Sequence, residues 1–243
     1  MTIFTNARLI DPEALTDTLG WLRVEGDRIA ERGTGTPPKG ESIDCGGKCL
    51  APGIGDLGVK VSEPGERHKE SFASAGRAAA AGGVTTMVTR PDTINAIDTP
   101  EVLEFVQRRA ATDAIVNVKH MSALTKDRAG REMVEIGFMK DAGAVAFTDC
   151  DHVVENTKVL ARALTYAKSC GALVIGHPQD PCLSKGAAAT SGKFAALRGL
   201  PSVSPMAERM GLDRDIALIE MTGVSYHFDQ ITTARALPAL ERA

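Results

Sequence analysis

Aromatic residues make up only 4% of the 243-residue sequence, and runs of a single charge sign and long apolar stretches are missing altogether. Without a block of like charge, 28 basic against 31 acidic side chains leave no electrostatic footprint for nucleic acid or an anionic membrane. Without about 18 consecutive uncharged apolar residues, there is no candidate membrane-spanning helix. The opening Met1-Thr-Ile-Phe-Thr-Asn-Ala-Arg8 has no basic stretch followed by an apolar core, so it does not read as a signal peptide, and a cytoplasmic location is expected. Cysteine is sparse too: five is an odd number in a long chain and suits reduced thiols rather than a disulfide framework. What is present, 43% hydrophobic and 24% charged residues with a net charge of −3 and a mean hydropathy of −0.07, is the profile of a folded soluble chain. Twenty-four glycines and many alanines predict close packing of helices on strands.

The first fifty residues read as short strands. Thr2 to Ile10 is one, and Trp21–Val24, a Glu25-Gly26-Asp27 turn and Arg28–Ala30 make a hairpin, followed by a loop from Gly33 to Gly40. From Leu50 the texture changes to apolar strands alternating with alanine-rich helical stretches. The expected strands are Ile54–Lys60, Val84–Arg90, Ala114–Met121, Ala144–Phe147, Leu173–His177 and Val224–Phe228. The expected helices are Ser71–Ala81 ending at Gly82-Gly83, Pro100–Ala111, Arg131–Lys140, Glu155–Ser169, Asp213–Met221 and Thr233–Glu241. Two regions follow, 1–50 and 51–243, the second an α/β array of about six β/α units with a parallel sheet. Periodicity alone leaves an open doubly wound sheet and a barrel both standing, since a full barrel needs eight units.

The stretch Leu50-Ala-Pro-Gly-Ile-Gly-Asp-Leu-Gly-Val-Lys-Val-Ser-Glu-Pro-Gly65 is, on its own, a buried strand between turns. It also resembles the first barrel strand of the dihydroorotase group of the amidohydrolase superfamily, where Pro-Gly is followed by Asp-x-His-x-His, an arginine and Glu-Pro-Gly. Further segments fall in the family's order, among them Arg77–Thr86, Ile97–Glu101, Gly143–Asp149, Val174–Asp180, Gly199–Ser202 and His227–Ala234. The resemblance implies a (β/α)8 TIM-type barrel, here incomplete, with a small β-sandwich segment contributed by residues 1–50.

Departures from the family pattern carry the functional reading. Family members hold one or two zinc ions that lower the pKa of a bound water, so that hydroxide attacks the ring amide of dihydroorotate. At the paired-histidine positions this sequence has Gly58 and Lys60, and a lysine ammonium repels a divalent cation. Ser62 stands where an arginine would clamp the substrate carboxylate, and Asp92 where an asparagine would contact it. Thr148-Asp-Cys-Asp151 replaces the acidic pair after strand 4, with Asp149 or Cys150 at the bridging-ligand position depending on register. His177 matches a metal histidine, Gln230 replaces another, and the aspartate after strand 8 lies beyond Ala243. His177 and Asp149 are thus the remnant ligand candidates, too few for a catalytic zinc site, and no cofactor is expected unless an atypical centre exists.

The resemblance therefore implies a homologue of the pyrimidine-pathway hydrolase that has lost catalysis, in the manner of the family's structural partners of aspartate carbamoyltransferase. The rival is an active cyclic amidohydrolase with an unusual metal site, and a third reading is a small-molecule binding module at the barrel mouth. Two absent barrel units would leave strand edges unpaired, so self-association or a heteromeric assembly is expected. Lys60 is expected either to pair with Asp149 or Asp151 as a fixed counter-charge or to be solvated. His68, His120, His152 and His227 sit at no ligand spacing, Cys45-Gly-Gly-Lys-Cys49 reads as a turn, and Gly82-Gly83 reads as a helix cap rather than a phosphate loop.

Overall fold

Apolar side chains at every second position start the chain as a strand: Ile3, Ala7 and Leu9 are buried along β1 (Thr2–Asp11). The computed structural model describes residues 1–243, which divide into two compact units, Met1–Ile54 and Gly55–Ala243. In the first, β1, β2 (Thr16–Glu25) and β3 (Arg28–Gly33) form an antiparallel meander, with a register shift in β1 where Asn6 takes φ 50°. Two short strands, β4 (Ser42–Asp44) and β5 (Cys49–Leu50), pair parallel to β1, giving one five-stranded sheet. The Cys45–Lys48 segment is the turn between them, where Gly46 and Gly47 take φ 58° and 77° and the Asp44 carboxylate accepts the Gly46 N–H at 2.8 Å. Strands of three and two residues have no periodicity to read, so β4 and β5 were not foreseen.

The second unit alternates strands and helices. In order come β6 (Ile54–Val59), α1 (Phe72–Ala81), β7 (Val84–Thr89), α2 (Pro100–Asp113), β8 (Asn117–His120), α3 (Ile136–Asp141), α4 (Thr157–Ser169) and β9 (Leu173–Gly176). Then follow α5 (Pro181–Ser184), β10 (Ala189–Thr190), α6 (Lys193–Leu197), β11 (Ser202–Val203), α7 (Met206–Thr222), β12 (Ser225–Phe228) and α8 (Leu237–Leu240). The neighbours β6, β7 and β8 form one ladder, and β9 pairs parallel to β12. Val145–Thr148 joins the two. Phe147 bridges in parallel to both Ser122 and Val174, its N–H donating to the Leu173 carbonyl at 2.9 Å and its own carbonyl accepting from Ile175 at 2.8 Å. Six strand positions thus run in sequence order, which is α/β architecture; no helix is long and apolar enough to cross a membrane.

Strand alternation sorts the side chains into two layers. Val88, Met121, Ala146 and Ile175 cluster on the inner face of the arc, while Met87, Phe147 and Val174 pack outward against Leu103, Val106, Leu160 and Leu164 of the helices. Burying each such large apolar side chain contributes about 1.5–3 kcal/mol. Helix ends follow sequence chemistry: Ser71 and Ser74 form a capping box on α1, Gly82 ends it, and Pro100 opens α2.

Four expected elements differ most, one of them the helix expected over Asp213–Met221, which spans Met206–Thr222. The helix over Arg131–Lys140 begins only at Ile136, because Glu132 and Val134 pair with Lys126 and Leu124. The helix over Thr233–Glu241 begins at Leu237, because the backbone N–H and hydroxyl groups of Thr232 and Thr233 instead donate to the buried Glu208 carboxylate. The Ala144–Phe147 strand is realised as bridges on both sides rather than as a regular run.

Helix α7 crosses the segment after β9 at Gly211, where an added Cβ would lie 2.3 Å from the Gln179 nitrogen. Backbone cannot yield as a flexible side chain does. Gly211→Ala gains about 1 kcal/mol of helix propensity but forces the loop away, and a net loss of about 1–2 kcal/mol is expected in denaturant unfolding.

Candidate functional site

The strand ends of the arc carry an alternating chain of charges. Lys60 directly follows β6, Arg90 follows β7, and Asp151 lies three residues past Thr148. Lys60 Nζ lies 3.0 Å from Asp92 Oδ2, and Arg90 Nη2 lies 3.2 Å from that same oxygen and 3.3 Å from Asp151 Oδ1. Arg128 Nη1 completes the series, 3.6 Å from Asp151 Oδ1. The Asp92 side chain is 4% exposed and those of Arg90 and Arg128 16%, whereas Lys60 and Asp151 stand open at 58% and 64%. Burial opposes the charge on Arg90, but Cys150, Asp92 and Asp151 outweigh it and hold the guanidinium above its ordinary pKa. Burial likewise works against the Asp151 carboxylate, yet a backbone N–H and the nearby Arg90, His152 and Arg128 keep its pKa below the usual value.

The ion chain corrects the expectation for Lys60. Its partner is Asp92, not Asp149 or Asp151. Sheet order is the reason: β7 is the immediate neighbour of β6, while β8 intervenes before Val145–Thr148. The group that reaches the strand-4 side is Arg90, one strand closer.

Asp149 is 4% exposed and holds the loop after β8: it accepts the Leu124 N–H at 3.0 Å, the Thr125 N–H at 2.9 Å and the Thr125 hydroxyl. Burial raises its pKa, against the pull of those donors. Cys150, at φ 60°, is buried, and desolvation followed by the Asp92 charge pushes its thiol up to about 11. Asp149, Cys150 and His177 line one cavity of about 20 Å³, while Gly58 and Cys150 line a second of about 30 Å³ with Arg90 and His227. His177 spends Nε2 on Gln179 Oε1 at 3.0 Å, leaving Nδ1 buried without a partner. Gln230 is exposed at φ 55°, and it lines neither cavity, nor does Ser62. Gly58 adopts φ 89°, a backbone that a histidine would take only under strain.

These donors do not fit a zinc centre. Nowhere do three His, Cys, Asp or Glu side chains come close enough to share an ion. A catalytic zinc needs at least that many convergent ligands. Sequence reasoning missed Arg90 and Arg128 as site residues. Arg90 had a readable signal, a charge immediately after an apolar strand. Arg128 had none, since its aim depends on φ 55° following φ 52° at Asp127. His68, His152 and His227 are exposed, while His120 is buried, with Nδ1 2.7 Å from Thr89 Oγ1 and its ring edge-on to Phe72.

The α/β arc shares its fold with solved hydantoinases. It aligns with L-hydantoinase (dihydropyrimidinase) from Arthrobacter aurescens at a TM-score of 0.81 and 19% identity, covering 99% of this chain and 55% of that one. The family model described as "Dihydro-orotase-like" matches residues 47–236, and the chain belongs to that family. It is 39% identical over 248 residues to the dihydroorotase-like protein of Pseudomonas putida, covering 100% of this chain and 58% of that protein. It is 37% identical over 244 residues to the dihydroorotase of Wolbachia sp. subsp. Drosophila simulans (strain wRi), covering 99% and 55%. The chain therefore spans about half the length of the curated relatives it matches.

Two outcomes are expected from the charges. Arg90→Met, which strips a partner from the buried Asp92, should cost about 3 kcal/mol in denaturant unfolding, whereas Lys60→Met, removing an exposed cation, should cost less than about 1 kcal/mol after solvent screening. Burial, with a smaller contribution from Lys119, depresses the pKa of His120 from 6.5 to about 4. The unfolded chain therefore takes up this proton first as pH falls, so stability should decline between about pH 6.5 and 4, by about 3 kcal/mol from this group. Unfolding curves across that window, compared with His120→Gln, isolate the contribution.

Proposed function

We propose that this chain is a dihydroorotase-like protein of pyrimidine metabolism that does not hydrolyse the cyclic amide. One observation carries the reading: Lys60, at a position where a metal histidine is expected, is the first member of the Lys60–Asp92–Arg90–Asp151–Arg128 ion chain that runs across the strand ends. A guanidinium stays protonated at every accessible pH, so it neither ligates zinc nor accepts a proton from water. Binding of aspartate carbamoyltransferase, and assembly generally, is proposed from the family resemblance, as is a cytoplasmic location. So is completion of the arc to eight units with a second sandwich layer. An apolar groove of about 490 Å³ lined by Phe4, Leu22, Val24, Ile29 and Leu50 is the surface that such a layer would cover.

Elemental analysis of the purified chain, run beside a dihydroorotate turnover assay, tests the reading. Less than about one zinc per ten chains and no turnover are expected, because too few ligands converge. About one tightly held zinc per chain, lost in His177→Ala and accompanied by turnover, would establish the active-hydrolase alternative. Sedimentation with the carbamoyltransferase of the same organism tests the partner, a shift to a larger species being expected.

A further inference from the structure

The geometry points to a small-oxyanion site between Arg90 and Arg128, in which Asp151 is a displaceable internal occupant. The two guanidinium groups are nearly buried, yet the carboxylate they share is the most exposed member of the ion chain. It is held at 3.3 and 3.6 Å, longer than the 2.7–2.9 Å typical of a charge-assisted hydrogen bond. An open, loosely held carboxylate contributes little to stability, so its place can be taken at low cost. Each arginine also keeps an Nε without an acceptor.

Room for a ligand lies alongside. A cleft of about 460 Å³ is lined by Arg128, Asp151, His152, Gln179, Ser184 and Lys185, with Glu155 as its second carboxylate. Asp92 is occupied by Lys60 and Arg90, and Asp149 by the loop donors, so neither is free to fill the gap that Asp151 would leave. A ligand ending in one carboxylate or phosphate would bridge the guanidinium pair, and its polar remainder would meet Gln179, Ser184 and Lys185. Arg90, Arg128, Gln179, Ser184 and Lys185 stand outside the family's metal and substrate positions as read in the sequence. The inference rests on the metal-free reading, which zinc analysis of the same sample reports separately.

Titration calorimetry with inorganic phosphate, at constant ionic strength set by sodium chloride, tests the site in the full chain. Asp151→Asn removes the internal competitor and should bind phosphate about tenfold more tightly than the parent. Arg128→Gln should lose binding by at least the same factor, and Arg128→Lys should fall between, keeping charge without the planar fork. Melting temperatures without phosphate identify any variant that fails to fold, in which case Arg128→Lys alone carries the arginine arm. Affinity unchanged within about twofold in Asp151→Asn, or binding by Arg128→Lys equal to the parent, would overturn the inference. So would a heat signal reproduced by chloride alone.

Discussion

The continuity of the barrel arc hangs on Phe147. It is buried and pairs on both sides, to Ser122 and to Val174, so that two short ladders become one sheet. Its backbone donates to Leu173 and accepts from Ile175, while Ala146 and Thr148 pair with Ser122 on the other flank. Each buried backbone group of this segment must find such a partner. The alternation that sends the Phe147 ring out to the helices sends Ala146 in to meet Val88, Met121 and Ile175. The same pairing delivers Asp149, Cys150 and Asp151 to the strand end, where they meet groups from the other strands.

Once there, electrostatics decides what the site is. Asp92 is a nearly buried carboxylate, and an unpaired buried charge costs several kcal/mol. Some cation must sit beside it. Arg90, two residues earlier in sequence, supplies that cation, and its second contact to Asp151 links the β7 end to the strand-4 end. Glu63 illustrates the same logic as structure: its buried carboxylate caps the Phe72 N–H and pairs with Arg109, binding α1 to α2. The strand-end chain differs in having one carboxylate open to solvent, which is why it has capacity to exchange partners.

Much of this was legible in the sequence. Apolar runs bounded by Gly and Pro gave β6, β7, β9 and β12 within a residue or two, and Thr99-Pro100 and Ser71 marked the starts of α2 and α1. What could not be read depends on tertiary partners. Thr232 and Thr233 carry helix-compatible context, but the Glu208 carboxylate recruits their backbone. Lys60 is legible as a charge at a strand end, yet its partner is fixed by sheet order, which a sequence does not display. Arg128 is placed by two successive left-handed residues; Asp127 is of a type that tolerates that conformation, but an arginine following it in the same conformation has no sequence signature.

A metal ion and a side-chain cation offer different chemistry at a strand end. A divalent ion concentrates charge and lowers the pKa of a bound water toward neutrality. Arginine spreads one charge over a planar fork, keeps its protons, and holds oxyanions by two parallel hydrogen bonds. The two cations also demand different backbones. Zinc requires imidazoles aimed at one point, whereas here Gly58 turns at φ 89° and Gln230 at φ 55°, so side chains grafted onto those positions would start from a strained main chain. Restoring histidines alone would therefore leave the ligand geometry unset. The strand ends carry a balanced set of charges in which planar guanidinium groups, suited to holding oxyanions, face the only carboxylate of the ion chain that stands open to solvent.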